Sequence, residues 1–271
     1  MNGNYDIEKS SLFSHEWEYE TQTLSRFGEK ITQLSKKAQK KDLTVHVGNH
    51  GLVSCEKAYN QLLDITEADN FEIKPGKLYV DNSYLKCFVV TSEPKYFVPG
   101  IKTISCELGL IASYPFWITE QHVKISAISD NETSEETGVK TYPYTYSYKY
   151  PSLKTETNVY VDHYTESDFK LTVYGPTTSV LININGYPYE VMYPLEAGEY
   201  MVIDSRPFTP KEEKLYVVRA NGTRENIFHY RSVEHSVFKK IPPGTIKIDY
   251  PRNYGVDLII YKERSEPPWK S

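Results

Sequence analysis

The sequence is poor in cysteine and methionine and contains no long apolar run. Its 271 residues include 3 methionines and 3 cysteines, and the cysteines lack the CxxC spacing of zinc and redox sites. This pattern predicts free, buried thiols in a protein made in a reducing compartment, at Cys55, Cys87 and Cys106. No stretch of about 18 apolar residues occurs, so no membrane-spanning segment is predicted. The first residues also lack the basic start and the apolar run of a signal peptide.

The sequence also has no excess of positive charge. The formal net charge is −5, which counts against specific nucleic-acid binding because such binding needs a basic patch. The basic cluster of note is SKKAQKK, from Ser35 to Lys41. Two interpretations remain open for it: a solvated loop between strands, or a contact with an acidic neighbour.

Motifs of the common enzyme and cofactor sites are missing. GxSxG, HExxH, Walker and GxGxxG patterns do not occur, so no enzymatic activity, catalytic residue, cofactor or metal ligand is predicted. His46 and His50 are four residues apart, but the glycine and asparagine between them argue against a helical metal site. A turn before a strand, rather than a hydrolase site, is expected for a neighbouring group of polar residues: Asp162, His163, Ser167 and Asp168.

Tyrosine is the abundant residue, with 24 copies. In the segment TYPYTYSYKYP, from Thr141 to Pro151, tyrosine occupies every second position, which places five phenols on one side of an extended chain. Tyrosine is enriched at protein interfaces, where its ring is covered and its hydroxyl stays wet. Packing between domains or subunits is therefore the favoured interpretation, and stacking on sugars is the alternative. The five residues are Tyr142, Tyr144, Tyr146, Tyr148 and Tyr150.

The pattern along the chain predicts two β-rich domains. The first, 1–140, mixes strands with one helix that begins after Ser54, a residue suited to the N-cap. The Tyr-rich connector spans 141–156. The second domain, 157–271, contains eight short alternating segments, which predict a β-sandwich of jelly-roll type. Asn185-Gly186 and Asn221-Gly222 are hairpin signals.

Several phrases in order along the chain resemble the distal tail protein family of phages, known as Dit or the siphovirus-type tail component. In the first half these are SRFGEKI, PGKLYV and the aromatic phrase YPFWITEQ. YPYTYSYKY resembles a tyrosine-rich connector of some members. In the second half, TVYGP, ININGYPYEV, GEYMVIDS, FKKIPPG and ERSEPPW resemble the outer domain of such proteins.

The resemblance implies a structural virion protein at the distal end of the tail of a long-tailed, non-contractile phage or prophage, made in the cytoplasm of the bacterial host. It implies a hexameric ring of first domains, with galectin-like second domains outside, that joins the tail tube protein to the tail-tip protein. A receptor-binding protein is a further implied partner, although the second domain has no long arm-like insertion. The aromatic phrase adds Tyr114, Phe116 and Trp117 to the connector tyrosines as interface candidates.

Two functions of other classes compete with a tail hub. A carbohydrate-binding module for cell-wall polysaccharide would use exposed aromatic faces of the second domain. A wall hydrolase would need two close carboxylates in a cleft, which sequence alone does not identify.

Overall fold

The computed structural model describes residues 5–24, 28–48, 53–97, 103–128 and 156–268. They form two compact units. Unit 1 comprises residues 1–119 and the C-terminal segment 263–271, and unit 2 comprises residues 120–262. Two strands therefore carry the chain across the unit boundary, and unit 2 is inserted into the sequence of unit 1.

Unit 1 is an antiparallel sheet with one long helix and a separate two-stranded ribbon. In the sheet, β1, β4, β7 and β6 are neighbours in that order, and β6 also pairs with β5 and with the start of β8. Alternate residues of β4 and β7 are buried, as expected for strands with one covered face. The strands are β1 (Tyr5–Ser10), β2 (Glu18–Thr23), β3 (Glu29–Ser35), β4 (Gln39–Gly48), β5 (Gly76–Val80), β6 (Ser83–Phe97), β7 (Thr103–Ala112) and β8 (Trp117–Ile125).

The long helix, α1 (Cys55–Glu72), covers the sheet and is capped at both ends. Ser54 is the N-cap, as predicted, and its hydroxyl accepts a hydrogen bond from the Lys57 amide at 3.3 Å. At the other end, the amide of Ile73 donates to the Asn70 carbonyl and the amide of Lys74 donates to the Asp69 carbonyl. This is the Schellman arrangement, whose left-handed residue is usually glycine or asparagine. Here it is Ile73, with φ 53° and ψ 37°, and a β-branched residue is strained in that conformation.

Replacing Ile73 by glycine is expected to raise the free energy of unfolding. The left-handed conformation costs a residue with a Cβ about 1–2 kcal/mol, and glycine's extra backbone entropy in the unfolded chain offsets about 0.5–1 kcal/mol of that gain. The expected result is a stabilisation of about 0.5–1 kcal/mol, measured by urea denaturation. Ile73→Ala keeps the Cβ and is the matched control, so an equal gain from both substitutions would contradict this account.

The three cysteines are free and buried, which confirms the sequence prediction. Cys55 lies at the start of α1, and Cys87 and Cys106 lie in β6 and β7, all within the core of unit 1. Burial raises the pKa of Cys87 to about 11, with a smaller effect from the Asp69 carboxylate. The Cys87 thiol is therefore protonated at neutral pH.

Unit 2 is a β-sandwich. One sheet has the order β17-β10-β13-β14-β15 and the other has the order β12-β11-β16-β9. Their inner faces share one core, which includes Phe169, Ile182, Ile203 and Ile246. The strands are β9 (Glu156–Val161), β10 (Asp168–Tyr174), β11 (Val180–Ile184), β12 (Tyr187–Val191), β13 (Tyr200–Asp204), β14 (Leu215–Val218), β15 (Arg224–Asn226), β16 (Gly244–Asp249) and β17 (Gly255–Arg264). A one-turn helix, α2 (Lys211–Lys214), and a 3-10 turn at Phe228–Tyr230 complete the unit.

The mainly β fold with one substantial helix agrees with the sequence prediction, and all eight predicted segments of the second domain contain a strand. The Asn185-Gly186 hairpin is confirmed, because both residues have positive φ between β11 and β12. At Asn221-Gly222 only the glycine has positive φ. There the Asn221 side chain instead accepts a hydrogen bond from the Thr223 amide at 3.0 Å, which makes a longer turn.

The compact units divide the chain at points different from the predicted boundaries. The predicted first domain runs to residue 140, whereas Ile125 is buried in the core of unit 2. The predicted second domain runs to residue 271, whereas the chain from Glu263 onward belongs to unit 1. The reason is that β8 and β17 each begin in one unit and end in the other. The composition of a strand does not change at the residue where it passes from one unit to the next, so the sequence does not mark the boundary. Residues 129–155, with most of the predicted connector, lie outside the described residues.

Candidate assembly surface

A two-stranded ribbon lies between β1 and β4 in the sequence of unit 1. It consists of β2 and β3, which pair only with each other within the described chain. Tyr19 lies opposite Leu34, and Thr21 lies opposite Ile31. Thr32 forms a bulge, and its hydroxyl donates to the Glu20 carbonyl at 3.1 Å.

The two faces of the ribbon differ in polarity. Since side chains alternate along a strand, Tyr19, Ile31 and Leu34 share one face, and Glu20, Gln22 and Gln33 share the other. We call Tyr19, Ile31 and Leu34 the ribbon face. Their exposed fractions are 67%, 56% and 58% respectively. Large apolar side chains grouped on an exposed face mark an interaction surface.

The base of the ribbon is fixed by a half-buried lysine. Lys36 follows β3, and its ammonium lies 4.8 Å from the ring centre of Trp17 and 4.4 Å from that of Phe116. The same group donates to the Ser265 hydroxyl at 2.7 Å. Burial, together with the charge of Lys41, lowers the pKa of Lys36 to about 8. These cation–π contacts with two neighbouring rings hold the chain at the point where the ribbon leaves the body of unit 1.

The SKKAQKK cluster is therefore not a uniformly solvated basic loop. Lys41 is buried and donates to the Ser14 carbonyl at 2.5 Å, and desolvation is the main cause that lowers its pKa. Lys37 pairs with Glu18 at 2.6 Å, and Lys40 is exposed. Two of the four lysines serve the interior of unit 1, so the cluster presents less positive charge to solvent than its sequence suggests.

The C-terminal segment of unit 1 holds the same region from another side. The Tyr114 hydroxyl donates to the Glu263 carboxylate at 2.5 Å, and His15 lies 2.9 Å from the Glu266 carboxylate. Together with the Lys36–Ser265 hydrogen bond, these contacts tie the C-terminal segment to the chain just before β2 and just after β3. The ribbon is therefore a positioned element rather than a free loop.

The aromatic interface candidates are divided by the structure. Tyr114 and Phe116 are half-buried beside the ribbon base, with ring centres 5.0 Å apart. Trp117 is only 1% exposed and packs within the core of unit 1, so it acts as a core residue in the single chain. The connector tyrosines lie outside the described residues and remain sequence-based candidates: Tyr142, Tyr144, Tyr146, Tyr148 and Tyr150.

Two of the polar residues weighed in the sequence, Ser167 and Asp168, are buried and hydrogen-bonded. Ser167 forms a side-chain hydrogen bond with His163 at 2.9 Å, but Ser167 is buried and its backbone pairs with that of Ile241 in an antiparallel bridge. Asp168 is buried as well, and accepts from the Ser205 hydroxyl at 2.9 Å. His50 lies outside the described residues, so the His46–His50 pair stays a sequence-based idea. Among the residues that the structure describes, no three His, Cys, Asp or Glu side chains are grouped as a metal site.

Sequence reasoning missed the ribbon face. Its members show only the alternation of an ordinary strand, Tyr19-x-Thr21, followed by Ile31 and Leu34 at a spacing altered by the bulge. The same alternation would be found in a strand whose apolar face is buried, so the pattern does not indicate that these side chains are exposed. The described part of the chain also has no helix that is long and apolar enough to cross a membrane.

Comparison with known proteins shows similarity at the level of structure. No protein-family model matches the chain, and no curated protein matches it at a significant level. The crystal structure of the phage SPP1 Dit protein, described as a paradigm of the hub adsorption apparatus of phages that infect Gram-positive bacteria, aligns with a TM-score of 0.55. The alignment covers 96% of this chain and 94% of that chain at 11% identity.

A chain of the phage P2 baseplate, in its activated conformation with Ca, aligns with a TM-score of 0.59. The alignment covers 98% of this chain and 93% of that chain at 12% identity. Both comparisons span both units. The fold of this chain is therefore the fold of phage Dit and baseplate proteins.

Proposed function

We propose that this chain is a non-enzymatic hub protein at the distal end of a long, non-contractile phage tail, where six copies form a ring. The observation that carries the proposal is the ribbon face, an exposed apolar surface on a ribbon that is fixed at its base. The likeness in fold to the hub protein of phage SPP1 supports the same role. The tail tube protein and the tail-tip protein are the proposed neighbours, and the virion tail is the proposed location.

A ring also accounts for the exposure of the ribbon face in the single chain. Burying a large apolar side chain is worth about 1.5–3 kcal/mol, and a closed ring repeats that gain at every contact. Head-to-tail contacts that close give cyclic symmetry. No specific observation favours the carbohydrate-binding alternative.

The proposal is tested by mass and by location. A hexamer of 31.4-kDa chains is expected in native mass spectrometry, with six-fold rings in negative-stain images. Gold-labelled antibody against the chain should mark the distal ends of tails. A protein that is monomeric at every concentration, and that is also absent from tail tips, would overturn the proposal.

A further inference from the structure

Three basic side chains at the base of the ribbon share one carboxylate. Lys36 directly follows β3, Lys41 lies in β4, and His15 lies before β2. The Glu266 carboxylate lies 2.9 Å from the His15 imidazole. It also acts on both ammoniums, because its negative charge opposes the lowering of the pKa of Lys36 and of Lys41. The C-terminal segment therefore brings one negative charge to a group that contains two lysines.

The two lysines lie where a positive charge is unfavourable. Lys41 is 2% exposed, and Lys36 is half-buried against the rings of Trp17 and Phe116. The two ammoniums also repel one another, since the charge of Lys41 is one of the causes that lower the pKa of Lys36. Taking a cation out of water is strongly unfavourable unless an anion lies close to it. The folded ribbon base therefore depends on a nearby negative charge.

We propose that Glu266 is a positioning residue, which holds the ribbon in place as the shared counter-ion of Lys36 and Lys41. The Ser265 hydroxyl and the Ser14 carbonyl accept hydrogen bonds from these ammoniums, but they carry no charge to offset. The C-terminal segment then acts as a latch whose hold depends on the charge balance at the ribbon base. A consequence for assembly rests on the proposed ring, whereas the position of the ribbon does not.

The position of the ribbon is measured in the full chain by pulsed electron paramagnetic resonance. Spin labels at Gln22→Cys on β2 and Asn60→Cys on α1 report the distance between ribbon and helix, because both side chains are exposed and the native thiols are buried. An excess of unlabelled chain keeps distances between copies out of the signal. With native Glu266, a narrow distribution of distances is expected. Glu266→Gln removes only the charge, and should widen the distribution roughly twofold because the unpaired ammoniums move toward water.

Two rescues distinguish an electrostatic role from a merely structural one. Adding Lys36→Met to Glu266→Gln returns the group to its original net charge and leaves an apolar side chain on the two rings, so the narrow distribution should return. Raising the pH of the Glu266→Gln chain to about 9 should do the same, because burial lowers the pKa of Lys36 to about 8. Since this pKa is lowered, losing the proton favours the folded arrangement. The wild-type distribution should stay narrow over the same range of pH.

Glu263→Gln is the matched control. It neutralises a carboxylate of the same segment, one that accepts a hydrogen bond from the Tyr114 hydroxyl and is not among the charges that shift the pKa of either lysine. This variant should keep the narrow distribution and the wild-type pKa of Lys36, followed by NMR of its labelled Cε. Glu266→Gln should lower that pKa further.

The remaining outcomes decide the matter. An unchanged distribution in Glu266→Gln, or equal widening in Glu263→Gln, would overturn the proposal. Widening that neither Lys36→Met nor alkaline pH reverses would do so too, because the loss would then be structural. Sedimentation velocity reads assembly separately, and rings should be lost in Glu266→Gln and regained with Lys36→Met. A ribbon that responds as expected, in a chain that never forms rings, supports the latch and counts against the proposed hub.

Discussion

A chain with serine at Tyr19, Ile31 and Leu34 is expected to remain folded and to lose the ring. At about 1.5 kcal/mol for each apolar side chain, removing three of them weakens one contact by about 4.5 kcal/mol. That is roughly a thousandfold loss in affinity. Sedimentation velocity at a concentration where the wild type is fully assembled should then show only the monomer.

The matched control alters the opposite face of the same ribbon. Gln22→Ser and Gln33→Ser shorten exposed polar side chains on β2 and β3, and rings should persist. The ribbon variant and its control should both unfold at the wild-type urea midpoint. Equal loss of assembly in both would show that the ribbon acts through its backbone or its position rather than through its apolar face.

Trp117→Ala is expected to be the most destabilising single change in unit 1. Trp117 is almost fully buried at the start of β8, opposite Leu85 of β6, and its ring lies 5.8 Å from that of Phe13. Truncating a buried aromatic residue to alanine costs about 3–5 kcal/mol, through lost transfer free energy and the cavity left behind. Urea denaturation should show this loss in the transition of unit 1.

Unit 2 provides an internal reference for that measurement, because Trp117 is not part of its core. Amide hydrogen exchange should show faster opening of β4 and β7, with β10 and β13 unchanged. Phe71→Ala removes an exposed aromatic residue of the same unit and should change its stability by no more than about 0.5 kcal/mol. Equal effects of Trp117→Ala and Phe71→Ala would contradict the assignment of Trp117 to the core.

The elements of the fold were more predictable than its surfaces. The sandwich strands follow from short alternating segments separated by turn residues, and Ser54 marks the helix start, because both signals are local. Burial of Lys41 is not local, since it depends on the Ser14 carbonyl contributed by an earlier loop. The number of lysines in SKKAQKK therefore overestimates the positive charge that this segment exposes to solvent.

The candidate site was predictable only in part. Tyr114 and Phe116 lie beside the ribbon base, where their role at an interface stays a prediction, and the ribbon face was not foreseen. An exposed strand and a half-buried strand share the same alternation, so exposure is a property of the tertiary arrangement. The end of α1 was also not predictable from its residue type. Glycine or asparagine occupies the left-handed position of most helix ends of this type, whereas α1 has Ile73 there.

The insertion of unit 2 into the sequence of unit 1 sets an order of events on the ribosome. Ser265 and Glu266, which hold Lys36 and His15 at the ribbon base, are synthesised after all of unit 2. A nascent chain therefore contains the ribbon and its contacts with Trp17 and Phe116 before the contacts from Ser265 and Glu266 exist. For the ring proposed above, completion of the chain would add the last contacts at the ribbon base, and a chain truncated before Glu263 would lack all of them.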